Sequence, residues 1–112
     1  MSRGWILTAI AGAVFAVADL LVGVFWPYPI PTIQIVMQDM GFAPAEVSAR
    51  VGDTIEWVNK DVFAHTATAR NGEFDVNLPP KKTGTSVLSK AGTVEYYCRY
   101  HPNMKAVLKI AP

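Results

Sequence analysis

Cys98, His101 and Met104 form a C-x2-H-x2-M arrangement within TVEYYCRYHPNMKAVLKI, placing three soft or borderline metal-ligand types inside one short turn. No acid/base pair and no second metal cluster accompany them, so the chemistry they point to is metal binding rather than catalysis of proton transfer. Cys98 is the only cysteine, which excludes an internal disulfide and leaves its thiol as a buried hydrophobe, an intermolecular crosslink or a metal ligand. Taken singly, such a cysteine more often packs as a small apolar residue, and a lone histidine more often sits at the surface or as a satisfied core group. The joint spacing with Met104 shifts the balance to ligation. A fourth ligand is needed, and His65 is the only other histidine. Carboxylates and water suit Mg or Ca, and four thiolates or two thiolates with two imidazoles suit structural Zn. Two imidazoles, one thiolate and a weak axial thioether suit copper. Because the same four side chains must serve Cu(I) and Cu(II), a site held by the fold near a compromise geometry changes little between states. Fast one-electron exchange is the expected chemistry.

Such a loop brings its ligands together only if neighbouring strands fix its ends. The chain after Pro31 alternates as half-buried strands do. Thr32 to Met37 places Ile33, Ile35 and Met37 on one side, Glu46 to Val51 places Val47, Ala49 and Val51 inward, and Thr54 to Val58 does the same with Ile55 and Trp57. Further runs at His65 to Ala69, Thr83 to Ser89, Thr93 to Cys98 and Lys105 to Ile110 are rich in Thr, Val and Tyr. Gly52-Asp53, Asn71-Gly72, Pro79-Pro80 and Ala91-Gly92 punctuate them. No window after residue 30 keeps a 3.6-residue apolar period, so the expected class is all-β. A two-sheet antiparallel sandwich is favoured over a parallel sheet, which would need long helical crossovers. Alternation puts Val94, Tyr96 and Cys98 on the inward face, and Pro102 turns the chain out of the strand so that His101 and Met104 curl back toward the sulfur. Met37 and Met40 read as packing residues or loop neighbours, and Trp57, Phe74 and Tyr96 as core. Tyr100 either lines a docking surface or shields the site.

Composition bounds the rest. In 112 residues with 51% hydrophobic content, 17% charged and a net charge of +1 there is room for one small domain, which excludes a two-domain enzyme. Near-neutrality without a basic run argues against a nucleic-acid partner, and the apolar, aromatic-bearing composition argues against disorder. The apolar excess is concentrated from Trp5 to Trp26, WILTAIAGAVFAVADLLVGVFW, after the basic Arg3. This hydrophobic helix is long enough to span a bilayer. Ala16-Val17-Ala18 would suit a secretory signal cleaved before Asp19, whereas the apolar run resumes at Leu20 and ends at Trp26-Pro27-Tyr28-Pro29, as an uncleaved anchor would. Asp19 costs an inserted helix roughly 2.5 to 3.5 kcal/mol at the bilayer centre, which the surrounding Leu, Ile, Val and Phe residues offset. Residues 1–29 are therefore expected to be a signal peptide or a transmembrane signal anchor, membrane-bound through residues 5–26 if uncleaved, and residues 30–112 an exported domain. Either reading places that domain at the periplasmic or extracellular face.

The chain resembles the cupredoxins, small blue copper proteins. The likeness is carried by Phe42-x-Pro44, by Val51-Gly52-Asp53-Thr54-Ile55-Glu56-Trp57-Val58-Asn59, by the Asp61 to Thr68 stretch with His65, and by Gly92 to Cys98 running into His101-Pro102-Asn103-Met104. Two residues between His and Met, with Pro directly after the His, are most similar to the amicyanin branch. The resemblance implies a Greek-key sandwich, His65 and His101 binding through Nδ1, Cys98 as the short strong bond and Met104 as the long axial one. It also implies that His101 lies at an exposed edge, inside an apolar patch where a redox partner docks. Thr66 stands where plastocyanin, azurin and amicyanin place Asn, and its hydroxyl is expected to hold the ligand loop. Ala106 stands where those relatives often carry glycine.

The expected function is that of an exocytoplasmic type 1 copper protein shuttling single electrons between redox proteins, a monomer and not an enzyme. Arg99 and Lys105 flank the exposed histidine and would favour an acidic partner. The alternatives are a copper-binding or delivery protein without redox turnover, and a metal-free sandwich serving adhesion or assembly.

Overall fold

The computed structural model describes residues 32–112. Those residues form β1 (Thr32–Gln38), β2 (Gly41–Ala43), β3 (Glu46–Arg50), β4 (Thr54–Asn59), β5 (His65–Ala69), β6 (Asp75–Leu78), β7 (Thr83–Val87), β8 (Gly92–Tyr97) and β9 (Lys105–Ala111). One sheet has the order β2-β1-β4-β7 and the other β3-β9-β8-β5-β6, so the class is an all-β two-sheet sandwich. The expected N-terminal helix and the boundary near residue 30 lie outside the described residues. Among the described residues no helix is long and apolar enough to cross a membrane.

The period-two apolar pattern places the core as the sequence indicates. Ile35, Met37, Ile55 and Trp57 from one sheet meet Ala67, Leu78, Val94, Tyr96 and Leu108 from the other, all buried. Phe42, Trp57, Phe74 and Tyr96 form the large centre of that core, with Trp57 and Tyr96 edge-to-face at 5.2 Å and Phe42 and Tyr96 at 4.8 Å. Trp57 is fully buried and spends its indole N–H on Ser86 Oγ at 3.0 Å. Truncating a buried aromatic of this size costs about 3–5 kcal/mol. The sandwich closes tightly at one edge, where a Cβ on Gly84 of β7 would come within 2.9 Å of Val76 Cγ1 in β6.

Three expectations are corrected. The sandwich is not purely antiparallel, because β1 pairs with β4 and β3 with β9 in parallel. No helical crossover is required, since a chain that leaves one sheet returns to it after forming strands in the other. β2 and β6 were not expected as strands. Their short, turn-rich sequences carry almost no alternation, and they form by pairing with β1 and β5. Val51, expected inward, is 41% exposed because β3 ends at Arg50 and Val51 opens the Gly52-Asp53 turn.

Candidate metal centre

Four loops gather at one end of the sandwich: 39–40 after β1, 60–64 before β5, 79–82 after β6, and 98–104 between β8 and β9. His65 is the first residue of β5 and Cys98 follows the last residue of β8, so two fixed strands deliver the imidazole and the thiol side by side. Backbone bonds close the 98–104 loop: Cys98 N donates to Met104 O at 3.0 Å and Met104 N to His101 O at 2.8 Å. These bonds fold His101 back over Cys98 and bury Met104 at the far end of the same loop.

The donor atoms of His65, Cys98 and His101 all lie within 4.8 Å of one another. Cys98 Sγ is 3.7 Å from His65 Nδ1 and 3.8 Å from His101 Nδ1. A nitrogen bound at about 2.0 Å and a sulfur at about 2.3 Å, subtending roughly 110–120° at one ion, would stand roughly 3.5–3.7 Å apart. The separations fit shared coordination, and the nitrogen facing the sulfur is Nδ1 in both rings. His65 and Cys98 are fully buried while His101 is part-exposed, its ring edge-on to His65 at 5.1 Å and to Phe63 at 6.2 Å. Met104 completes a His-Cys-His-Met cluster consistent with a type 1 copper site.

Around His101 the surface is apolar: Val62, Phe63, Tyr100 and Met40 are exposed large hydrophobic residues, and His101, Tyr100, Met40 and Pro102 line a shallow recess. Met40 is thus a surface neighbour of the site, whereas Met37 is core. Tyr100 stands on the surface, with its hydroxyl donating to Asn77 Oδ1 at 3.1 Å.

The groups that orient the donors were only partly legible in the sequence. Thr66 acts as expected in holding the loop, but its hydroxyl accepts rather than donates there: Arg99 N–H donates to Thr66 Oγ1 at 2.8 Å, and Thr66 N–H donates to Cys98 Sγ at 3.3 Å. Asp61 was missed. Its Oδ2 accepts from His65 Nε2 at 2.7 Å, which fixes the ring with Nδ1 toward the sulfur, the arrangement that orients metal-binding histidines generally. Burial acts to raise the Asp61 pKa, but its bonds with His65 and with the backbone N–H groups of Asp39 and Met40 outweigh this and hold it below its ordinary value. Asn59, buried at the end of β4, donates through Nδ2 to Phe63 O, Leu78 O and Pro79 O and accepts from Asp61 N. It shapes the loop that carries Asp61. The available signal was an Asp four residues before a histidine in a turn-rich stretch, which is weak without the fold.

The sequence profile of the cupredoxin-like domain matches residues 10–110. The chain belongs to the cupredoxin family. Among cupredoxins it is similar to amicyanin from Paracoccus versutus, 25% identical over 83 residues that make up 69% of this chain and 63% of that protein. It is also similar to amicyanin from Paracoccus denitrificans, 29% identical over 72 residues, 59% of this chain and 55% of that protein. The chain thus spans less than two thirds of either amicyanin. In fold it resembles a reduced amicyanin variant, with a TM-score of 0.63 at 22% identity, covering 75% of this chain and 86% of that one. It equally resembles a purple cupredoxin from Nitrosopumilus maritimus, with a TM-score of 0.63 at 22% identity over 70% of this chain and 99% of that one.

Proposed function

We propose that this cupredoxin is an exocytoplasmic type 1 copper protein that carries single electrons between redox proteins and is not itself an enzyme. The observation that carries the reading is the buried convergence of Cys98 Sγ with Nδ1 of His65 and of His101. In this reading His65, Cys98, His101 and Met104 hold the ion, which supplies a one-electron couple between Cu(I) and Cu(II). Asp61 keeps the His65 ring in place, and the Thr66 N–H stabilises the Cys98 thiolate. Three of the four donors, on His65, Cys98 and Met104, are buried, and two strands and a closed loop hold the set, so little rearrangement accompanies a change of charge. Part-exposed His101 is the electron exit, and the apolar surface of Val62, Phe63, Tyr100 and Met40 is where a donor or acceptor docks. Lys60, Lys82 and Lys105 lie exposed around that end, with Arg99 paired to Asp75, and the lysines favour an acidic partner. The basic start at Arg3 and the apolar run from Trp5 to Trp26 support export, with residues 1–29 acting as signal or anchor.

The test is the optical spectrum and voltammetry of the copper-loaded full chain. An intense visible thiolate-to-copper band and a reversible one-electron couple are expected, with Met104→Leu keeping the copper and shifting the potential. A colourless Cu(I) form that passes its copper on without cycling would identify a delivery protein instead, and failure to bind copper stoichiometrically would leave an assembly module. N-terminal sequencing of native material tests export, with Met1 or Asp19 as the first residue distinguishing anchor from signal.

A further inference from the structure

β5 is buried along its whole length, including Thr66 at 0% exposure and Thr68 at 9%, although both alternate onto the face of the sheet away from the core. What covers them is polar. Thr68 Oγ1 lies 2.8 Å from Asp75 Oδ1, and a carboxylate only accepts, so Thr68 spends its one proton there. Thr66 Oγ1 is 2.9 Å from Thr68 Oγ1, and with the Thr68 proton committed, Thr66 is the donor of that bond. Thr66 Oγ1 in turn accepts the Arg99 N–H at 2.8 Å, and the Arg99 Nε donates to the same Asp75 Oδ1 at 3.2 Å. Donation therefore runs from Arg99 to Asp75 along both arms of the ring, from its peptide N–H through two hydroxyls and from its side chain directly. The register explains why: Thr68 stands opposite Asp75 across the β5-β6 ladder, and Arg99 directly follows Cys98.

Magnitudes separate the legs of this ring. The Arg99–Asp75 ion pair is exposed and by itself contributes about 0–1 kcal/mol. The bond between the two hydroxyls is buried and the bonds on either side of it, from Arg99 N and to Asp75, are part-buried, so this arm is less screened than the ion pair and its successive bonds polarise one another. The residue at the head of the chain, Thr66, also gives its N–H to Cys98 Sγ. Hydrogen bonding around a copper-bound cysteine sulfur is one of the features that set the potential of a blue copper site.

We propose that Asp75, which touches none of the four donors, is a positioning residue that acts through Thr68 and Thr66 to fix the Cys98–Arg99 peptide and thereby the donor strength of the thiolate. The proposal rests on the copper-carrier reading for its electronic consequence, but not for its structural one. The test uses the full chain loaded with Cu(I) for amide hydrogen exchange, and with Cu(II) for the spectrum. Asp75→Ala and Thr68→Val are expected to speed exchange of the Arg99 amide by roughly threefold to tenfold, the scale of one lost hydrogen bond. Both are also expected to move the thiolate-to-copper band and the midpoint potential in the same direction. Asp75→Asn, whose Oδ1 still accepts both bonds, is expected to restore all three, and Thr68→Ser likewise. The idea is overturned if Asp75→Ala keeps wild-type Arg99 exchange, band and potential, or if Asp75→Asn behaves as Asp75→Ala does, which would assign the effect to charge. If the chain takes no copper the carrier reading fails, and Arg99 exchange in the copper-free chain still decides whether the ring holds the peptide.

Discussion

At each end of the sandwich a carboxylate ties turns together, and the two differ in what else they touch. Away from the cluster, Glu73 Oε1 accepts from Ser89 N, Ser89 Oγ and Lys90 N, joining the 70–74 turn to the one before β8, while its Oε2 is buried and meets no hydrogen-bond donor among the described residues. At the cluster, Asp61 accepts from Asp39 N and Met40 N in the turn after β1, and its Oδ2 also meets His65 Nε2. The same clamp is thus a matter of stability at one end and of ligand orientation at the other. Position along the chain makes the difference, because β5 begins four residues after Asp61 and its first side chain is an imidazole.

The sharpest way to break this comparison is Cys98→Ala. We expect complete loss of the visible band in the copper-loaded full chain, because the thiolate is its source, whereas Glu73→Ala keeps the band unchanged. Retention of the band in the cysteine variant would remove Cys98 from the centre and with it the special status of this end. Next in size, Asp61→Ala should weaken copper binding by about 10–100-fold, as loss of a partner to a metal-bound histidine does. Competition with a chelator of known affinity measures this, and wild-type affinity would reduce Asp61 to a turn clamp like Glu73.

Glu73→Ala should lower unfolding stability by about 0.5–1.5 kcal/mol, since the Ser89 and Lys90 donors are exposed and exchange their acceptor for water. Denaturant titration checks it, with copper affinity expected to stay at the wild-type level. The smallest effect concerns acid. Burial acts to raise the Glu73 pKa, but the N–H and O–H groups of Ser89 and Lys90 prevail and hold it below its ordinary value of 4.5. A carboxyl whose folded pKa is depressed stabilises the fold above the unfolded value and loses that contribution as pH falls through the folded one. The stability gap between wild type and Glu73→Gln should therefore be constant from neutrality down to about pH 4.5 and close at lower pH. A gap that widens on acidification would reverse the assigned sign.

Much of the core and all four candidate ligands could be read from residue types and spacing. Strands β1, β3, β4, β5 and β7 to β9 announced themselves because each has enough residues to show alternation, and Trp57 and Tyr96 are buried where that alternation puts them, while Phe74, outside any strand, is buried as its aromatic character suggests. β2 and β6 did not, being three and four residues long. β6 nonetheless matters to the site, since Asp75 and Asn77 reach Arg99 and Tyr100 of the ligand loop. The parallel pairings were also hidden, because nothing local tells a strand which distant strand it will lie beside.

The sequence by itself determined the donor set, Cys98, His101 and Met104 in one loop with His65 thirty-three positions before the cysteine, and the alternation that turns Cys98 inward. These are properties of side-chain chemistry and of a period-two backbone, both local. Only the tertiary structure decided that Asp61 would reach His65, that Thr66 would hold the peptide after Cys98, and that Asp75 would close a ring around it. Those contacts join residues brought together by loop conformation and strand pairing, and their geometry exists only once the sheets have chosen their partners and register.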